Sequence, residues 1–530
     1  MSRVAGRHGP VRRDAITAAA LAAILAALVA SAMLDPPSGP SPSPAEGAPP
    51  VPPAPGVSRP RVEYTGPRGE LAGPVVMRAR VRAEGARVVA VTFRLDGRPL
   101  GTDTTAPYTL DVDASLLPPG RHRVQVEAVD RVGGRAVSAP ARVRTGGQPH
   151  GITVSAPGPQ LDRALAALAR GHVTVLLGPG RYPVGAVRLG DGARLVGAGP
   201  GTVLTASRDA WSLVEVRGRR VRVSGLAIEG GTRIGRAIAV APGSADVRLQ
   251  RLRISGVRDT GVEAWGAHAE VSVQDSVIVG DDASGAGVYD LGSSDSRDSS
   301  VVRTEIHGFR AFGIDFAHRY YGRRAAARRA VALDNRIARI VDPEVANGTR
   351  EGGIWSGGVA AAIIGNRIRD TGWDGIETVG SSYGVSIVGN DIARTRVGIY
   401  LEHETNGSLI SRNAIADVVA GINVEWRYEG RGSSANTFTA NRITGARQTG
   451  LFVDVAGDRN RITGNVVEGG RGPAIVLQGA SENLVTANRA CARSGPVVQL
   501  QSASYDNGVA AHSLRNRVVG NRKAPSCGPP

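Results

Sequence analysis

The stretch Ile364-Gly365-Asn366-Arg367-Ile368 returns as Val388-Gly389-Asn390-Asp391-Ile392, Ser411-Arg412-Asn413-Ala414-Ile415, Thr439-Ala440-Asn441-Arg442-Ile443 and Thr463-Gly464-Asn465-Val466-Val467. Its asparagines lie 24, 23, 28 and 24 residues apart. A second marker is glycine followed by Ile, Val or Leu. It opens a strand at Gly261, Gly287, Gly313, Gly353, Gly375, Gly398, Gly421 and Gly450. A repeat of this length with two or three short β segments is one coil of a parallel β-helix. One coil cannot bury its apolar face, but coils stacked at ~4.8 Å share a continuous core. Asparagine tolerates the left-handed region and can ladder its amide along a stack, which explains its recurrence without catalysis. Leucine-rich repeats share the period but need denser leucine and a helix. A propeller has longer repeats joined by hairpins.

Composition agrees. A chain of 530 residues exceeds one ordinary domain. Its 42% hydrophobic content excludes wholesale disorder, and 4% aromatics with 71 glycines fit strands and turns. The net charge is +17, and Lys523 is the only lysine. Schiff-base chemistry and a P-loop are therefore excluded, unless Lys523 near the C-terminal end takes part. The arginines are spread along the chain, with no basic helix and no aromatic RNA-binding motif, so nucleic acid is not expected as partner. An acidic ligand stays open.

Arg3, Arg7, Arg12 and Arg13 precede the apolar run Ile16–Leu34, and Ala30-Ser31-Ala32 forms a small-residue cleavage site. Residues 1–35 read as a signal peptide or a retained membrane anchor. Either sends the rest outside the plasma membrane, secreted or tethered to the cell envelope. Residues 36–60 form a proline-rich linker. The two cysteines, Cys491 and Cys527, are expected to pair in an exported chain.

Short alternating strands with turns at Asp96-Gly97 and Pro118-Pro119-Gly120 predict a β-sandwich over 61–146. Phe93-Arg94-Leu95-Asp96-Gly97, Ala106-Pro107-Tyr108 and Pro119-Gly120-Arg121-His122 resemble bacterial immunoglobulin-like modules. That resemblance implies a spacer or adhesion unit. Further on, Val173-Thr174-Val175-Leu176-Leu177-Gly178-Pro179-Gly180-Arg181-Tyr182 and Ala193-Arg194-Leu195-Val196-Gly197-Ala198-Gly199 look like opening coils of the pectate-lyase-like right-handed parallel β-helix superfamily. A helix over Pro159–Arg170 would be its cap. The resemblance covers 150–525 and implies an all-β chain, a right-handed parallel β-helix preceded by the immunoglobulin-like β-sandwich. The superfamily implies lyases, glycoside hydrolases, epimerases, tailspikes and adhesins alike.

Alternation along the strands opened by the glycines predicts two outward rows. The first reads Glu263, Tyr289, Asp315, Trp355, Glu377, Tyr400, Asn423, Phe452. The second includes Trp265, Glu402, Glu425, Asp454 and Gln478. Aromatic faces pack on sugar rings, and carboxylates bind hydroxyls or move protons. Trp265, Tyr289, Trp355, Tyr400 and Phe452 are thus candidate platforms of an exposed polysaccharide groove. Glu402 and Glu425 share a slot on adjacent coils, ~4.8 Å apart in backbone. Two such carboxylates share one proton and supply an acid and a base. A Ca²⁺ ion between them is the competing reading. Glu377 and His403 are further acid–base candidates. Phe312-Gly313-Ile314-Asp315-Phe316-Ala317-His318 resembles the aromatic-Gly-x-Asp-Pro-His motif of alginate C5-epimerases, which implies proton transfer by Asp315 and His318. It departs by one residue of extra spacing, a missing proline and the absence of a partner lysine. The expected function is binding and cleavage of a polysaccharide by hydrolysis or elimination. The alternative is a surface protein that only binds or adheres.

Overall fold

The computed structural model describes residues 59–146, 150–266, 268–282, 284–289, 298–316, 329–341, 352–358, 360–425, 432–492, 496–505 and 508–524. The signal or anchor segment, the linker to residue 58, His318 and Cys527 lie outside the described residues. Among those described, no helix is long and apolar enough to cross a membrane.

Two sheets form the N-terminal module. One joins Arg61–Tyr64, Pro74–Arg82 and Thr109–Asp113 antiparallel. In the other, Gly120–Asp130 lies between Val88–Leu95 and Ala141–Thr145, with Arg98–Asp103 and Gly69–Leu71 at the edges. Met77, Phe93, Leu110, Val124 and Val126 fill the space between them. This is the expected sandwich.

From Ile152 onward, strands pair in parallel with the equivalent strand of the next coil, apart from a short antiparallel pair, Ala503–Ser504 with Ala510–Ala511. Like residues therefore stand above one another. Ile363, Ile387, Ile410, Phe438, Ile462 and Val485 form one inward column, and all are fully buried. The helix Pro159–Arg170 turns Leu161, Ala164 and Leu168 onto the first coils and covers that end of the core. The chain is a right-handed parallel β-helix.

Two devices hold the register. The first is the asparagine column. Asn413 Oδ1 accepts the backbone N–H of Asn390 at 3.0 Å and its Nδ2–H at 2.9 Å. Asn413 Nδ2 also donates to the Ile387 carbonyl at 2.9 Å. The pattern links Asn335, Asn366, Asn390, Asn413, Asn441, Asn465, Asn488 and Asn521. The left-handed residue is not the asparagine but the one before it. Asp334, Gly365, Gly389, Arg412, Ala440, Gly464, Ala487 and Gly520 take φ between 53° and 66°. A second column, Asn436, Asn460, Asn483 and Asn516, binds backbone N–H groups in the same way.

The second device is the glycine at each strand entrance. A Cβ on Gly375 would lie 2.6 Å from the Gly398 carbonyl oxygen and 2.5 Å from Ile392 Cγ2. Gly261, Gly313, Gly353 and Gly398 are similarly enclosed. Close approach of successive coils, not a positive φ, requires glycine here.

The module packs directly against the β-helix. Val89, Ala90 and Val129 pack on Val302, Val331, Leu333, Ala362, Ile364 and Val388 of the β-helix. Those β-helix residues would otherwise leave an apolar patch on a strand face that is polar on the coils before and after. Polar contacts frame it. Gln274 donates to the Thr102 carbonyl at 2.7 Å and accepts the Thr102 N–H at 2.8 Å. Gln250 donates to the Leu100 carbonyl, and Arg135 meets Asp334 at 2.6 Å.

Asp103 sits at the edge of this junction. Burial, with a smaller push from Glu270, raises its pKa from 3.8 to about 6, against the N–H groups of Thr109 and Thr105 and against Arg248. A raised carboxylate disfavours the docked, ionised state above its folded pKa. That penalty, about 2–3 kcal/mol, disappears as pH falls from about 6 towards the unfolded value. Urea unfolding should therefore show the module–helix junction gaining stability between pH 7 and pH 5. The gain should be absent in Asp103→Asn. An equal gain in that variant would show that other groups carry it.

Candidate functional site

The strands Gly352–Gly357, Asp374–Val379, Val397–Leu401, Ala420–Val424 and Leu451–Val453 lie side by side on one sheet of the β-helix. Their register pairs Asp315 with Trp355, Trp355 with Glu377, Glu377 with Tyr400, Tyr400 with Asn423, and Asn423 with Phe452. Upstream, Glu263 pairs with Tyr289. The first predicted row is therefore continuous on this face from Asp315 to Phe452. The second also aligns. Glu402 N–H donates to the Thr378 carbonyl, and Glu425 N–H to the Leu401 carbonyl, so Glu425 follows Glu402 one coil on. Gln478 donates to Asp454 at 3.0 Å. The Tyr400 hydroxyl donates to the Glu425 carbonyl at 3.4 Å.

The expected exposure does not hold. Trp355 is 4% exposed, Tyr400 8%, Glu377 1% and Glu402 3%, and Asp315 is fully buried. Tyr289, Trp265, Asn423, Glu425 and Phe452 are half-buried. The aromatics pack on their own sheet. Trp355 lies 6.3 Å from Phe312, at 56°, in a cluster with Ala286 and Val379. Tyr400 packs on Val397 and Ala420. At strand spacing each ring is flanked by neighbours from adjacent coils, so alternation predicts its side of the sheet but not its accessibility.

His403 Nδ1 lies 3.5 Å from Glu402 Oε2, with both side chains nearly inaccessible. Thr378 and Thr405 hydroxyls meet at 3.0 Å beneath this segment. The sequence reading missed Asp374, fully buried at a strand entrance. Burial lowers the pKa of nearby Arg396, and attraction to Asp374 opposes that shift. Also missed was Arg236, which pairs with Glu263 and lies 3.6 Å from Asp259. The first-row alternation starts after each glycine, whereas Asp374 and Arg236 lie before the residues it counts.

Among the described residues, no three His, Cys, Asp or Glu side chains form a metal-binding group. Asp315 has a described position, but its suggested partner His318 does not. Cys491 is disulfide-bonded.

The coils define a parallel β-helix protein with a docked immunoglobulin-like module. Residues 334–523 match the family described as periplasmic copper-binding protein (NosD), and residues 60–126 match the bacterial Ig domain family. Among solved structures, the chain is similar to an A-module of an Azotobacter vinelandii mannuronan C-5 epimerase, AlgE4, at 16% identity and a TM-score of 0.42. That match covers 68% of this chain and 95% of the other. It is similar to a Yersinia enterocolitica family 28 exopolygalacturonase at 12% identity and TM-score 0.40, over 89% and 100% of the two chains. A third is the bacteriophage phi29 gene product 12, at 13% identity and TM-score 0.46, over 67% and 55%. Comparison with curated proteins finds no match.

Copper sites draw on histidine, cysteine and methionine. The stretch 334–523 holds two histidines, His403 and His512, no methionine, and one cysteine, Cys491, already in a disulfide. His403 closes a strand in mid-helix, while His512 lies beside Ser502 near the C-terminal end. These residues do not fit a copper centre.

Burial of Trp355 sets a prediction. Trp355→Ala should lower unfolding free energy by about 3–5 kcal/mol, the cost of removing a packed indole. Differential scanning calorimetry would record a depressed melting temperature. An unchanged melting temperature would mean that the ring is an accessible platform after all.

Proposed function

We propose that this chain is a polysaccharide-directed β-helix protein that binds a sugar chain along the face carrying Asp315, Trp355, Glu377, Tyr400 and Phe452, and cleaves it at Glu402 and Glu425. One observation carries the reading: carboxylates and aromatic rings from successive coils are held in a single line at strand spacing. This pattern suits a polymer whose own repeat runs along the stack. In hydrolysis, one carboxyl group donates a proton to the glycosidic oxygen. The other attacks the anomeric carbon or activates water. His403, beside Glu402, would position it. The N-terminal residues 1–35 support export, with the folded part outside the plasma membrane.

A second reading is binding without cleavage. The low accessibility of Glu402 and Glu377 favours it, because a general acid must reach the leaving oxygen.

The full chain should be incubated with a polysaccharide panel and followed by reducing ends and by absorbance of unsaturated uronates. Glu402→Gln and Glu425→Gln should each cut turnover at least ~100-fold while sparing binding. The double variant should be hardly slower than either single one, since the groups act together. Binding without turnover in the wild type would establish the second reading. No binding to any polymer would end both.

A further inference from the structure

Two tryptophans outside the predicted rows occupy one corner of the same sheet. Trp211 is 66% exposed, and the Arg236 guanidinium lies 3.8 Å from its ring centroid. Arg236 is itself buried and tied to Glu263 and Asp259. Trp373 is half-buried, and Arg396 lies 3.8 Å from its ring centroid. Arg396 is on the next coil, since its N–H donates to the Trp373 carbonyl at 2.8 Å.

The register relates the two. A continuous row runs Ser212, Arg236, Thr260, Ala286, Phe312, Gly352, Asp374. Trp211 and Trp373 each precede a member of that row by one residue. They hold equivalent positions six strand steps apart, roughly 29 Å at strand spacing. In both, a cation on the next coil fixes the indole by cation–π attraction. The buried carboxylates of Glu263, Asp315, Asp374, Glu377 and Glu402 lie between and beside them. Arg236 is already matched by carboxylates, and Arg396 is attracted to Asp374. Such a face repels a polyanion.

We infer that Trp211 and Trp373 are two stacking platforms for one uncharged polysaccharide chain, several sugar rings long, lying along this face. The inference rests on the proposed function and narrows its substrate class from any polysaccharide, acidic ones included, to neutral ones. Stacking uses the apolar face of the ring.

The test is affinity electrophoresis of the full chain through gels holding either neutral polymers (a β-glucan, an α-glucan, a galactomannan) or polyuronates (polygalacturonate, alginate). The wild type should be retarded by a neutral polymer and not by polyuronates. Trp211→Ala and Trp373→Ala should each weaken retardation about tenfold, as loss of an aromatic anchor does. Trp373→Tyr, which keeps a ring in the partly buried position, should retain most of it. Alanine variants that bind a neutral polymer like wild type would overturn the platforms and leave the proposed function standing. Stronger retardation by polyuronates would overturn the substrate class. No retardation by any polymer would remove the proposed function and this inference together.

Discussion

From Asn335 onward the β-helix depends on one repeated contact: an asparagine Oδ1 that accepts two donors from the coil before it, as Asn413 does from Asn390. A buried amide left without partners costs free energy, so each coil can sit in only one register on the next. The glycines at the strand entrances impose the same register by close approach, since no side chain fits between successive coils at Gly375 or Gly398. With register fixed at two places per coil, the outward residues must also align. The line of Asp315, Trp355, Glu377 and Tyr400 is thus a consequence of buried amides and missing side chains elsewhere in the coil.

The same alignment explains how the immunoglobulin-like module is held. Val302, Leu333, Ile364 and Val388 stack into an apolar stripe on another sheet, and the module covers it with Val89, Ala90 and Val129. Removing such a stripe from water stabilises docking at roughly 25 cal/mol per Å² buried. Polar contacts from Gln274 and Gln250 to the backbone of one module strand then set its orientation. One solenoid thus presents two outward faces: an apolar one used internally, and one of carboxylates and rings.

The coil period, the sandwich and the side of the sheet taken by each row residue were legible in the sequence. They depend on local alternation and on recurring asparagine and glycine. Accessibility was not legible, because Trp355 is covered by Phe312, Val379 and Ala286, which come from other coils. Asp374 escaped notice because it precedes the glycine from which the alternation is counted. The second column, from Asn436 to Asn516, was obscured by a last spacing that lengthens to 33 residues. Docking of the module did leave a trace. Apolar residues stand at outward positions on four coils, where a solvated strand would carry polar ones. Trp211 and Trp373 lie just outside the strand positions that alternation weighs.

The central claim is that buried asparagine amides hold the coils in register. The most direct measurement is the urea unfolding free energy of Asn413→Ala in the full chain, set beside the exposed control Arg461→Ala. Removing the Asn413 acceptor strands two donors of Asn390, so a loss of roughly 2–5 kcal/mol is predicted, with almost none in the control. Equal stability of the two variants would contradict the account.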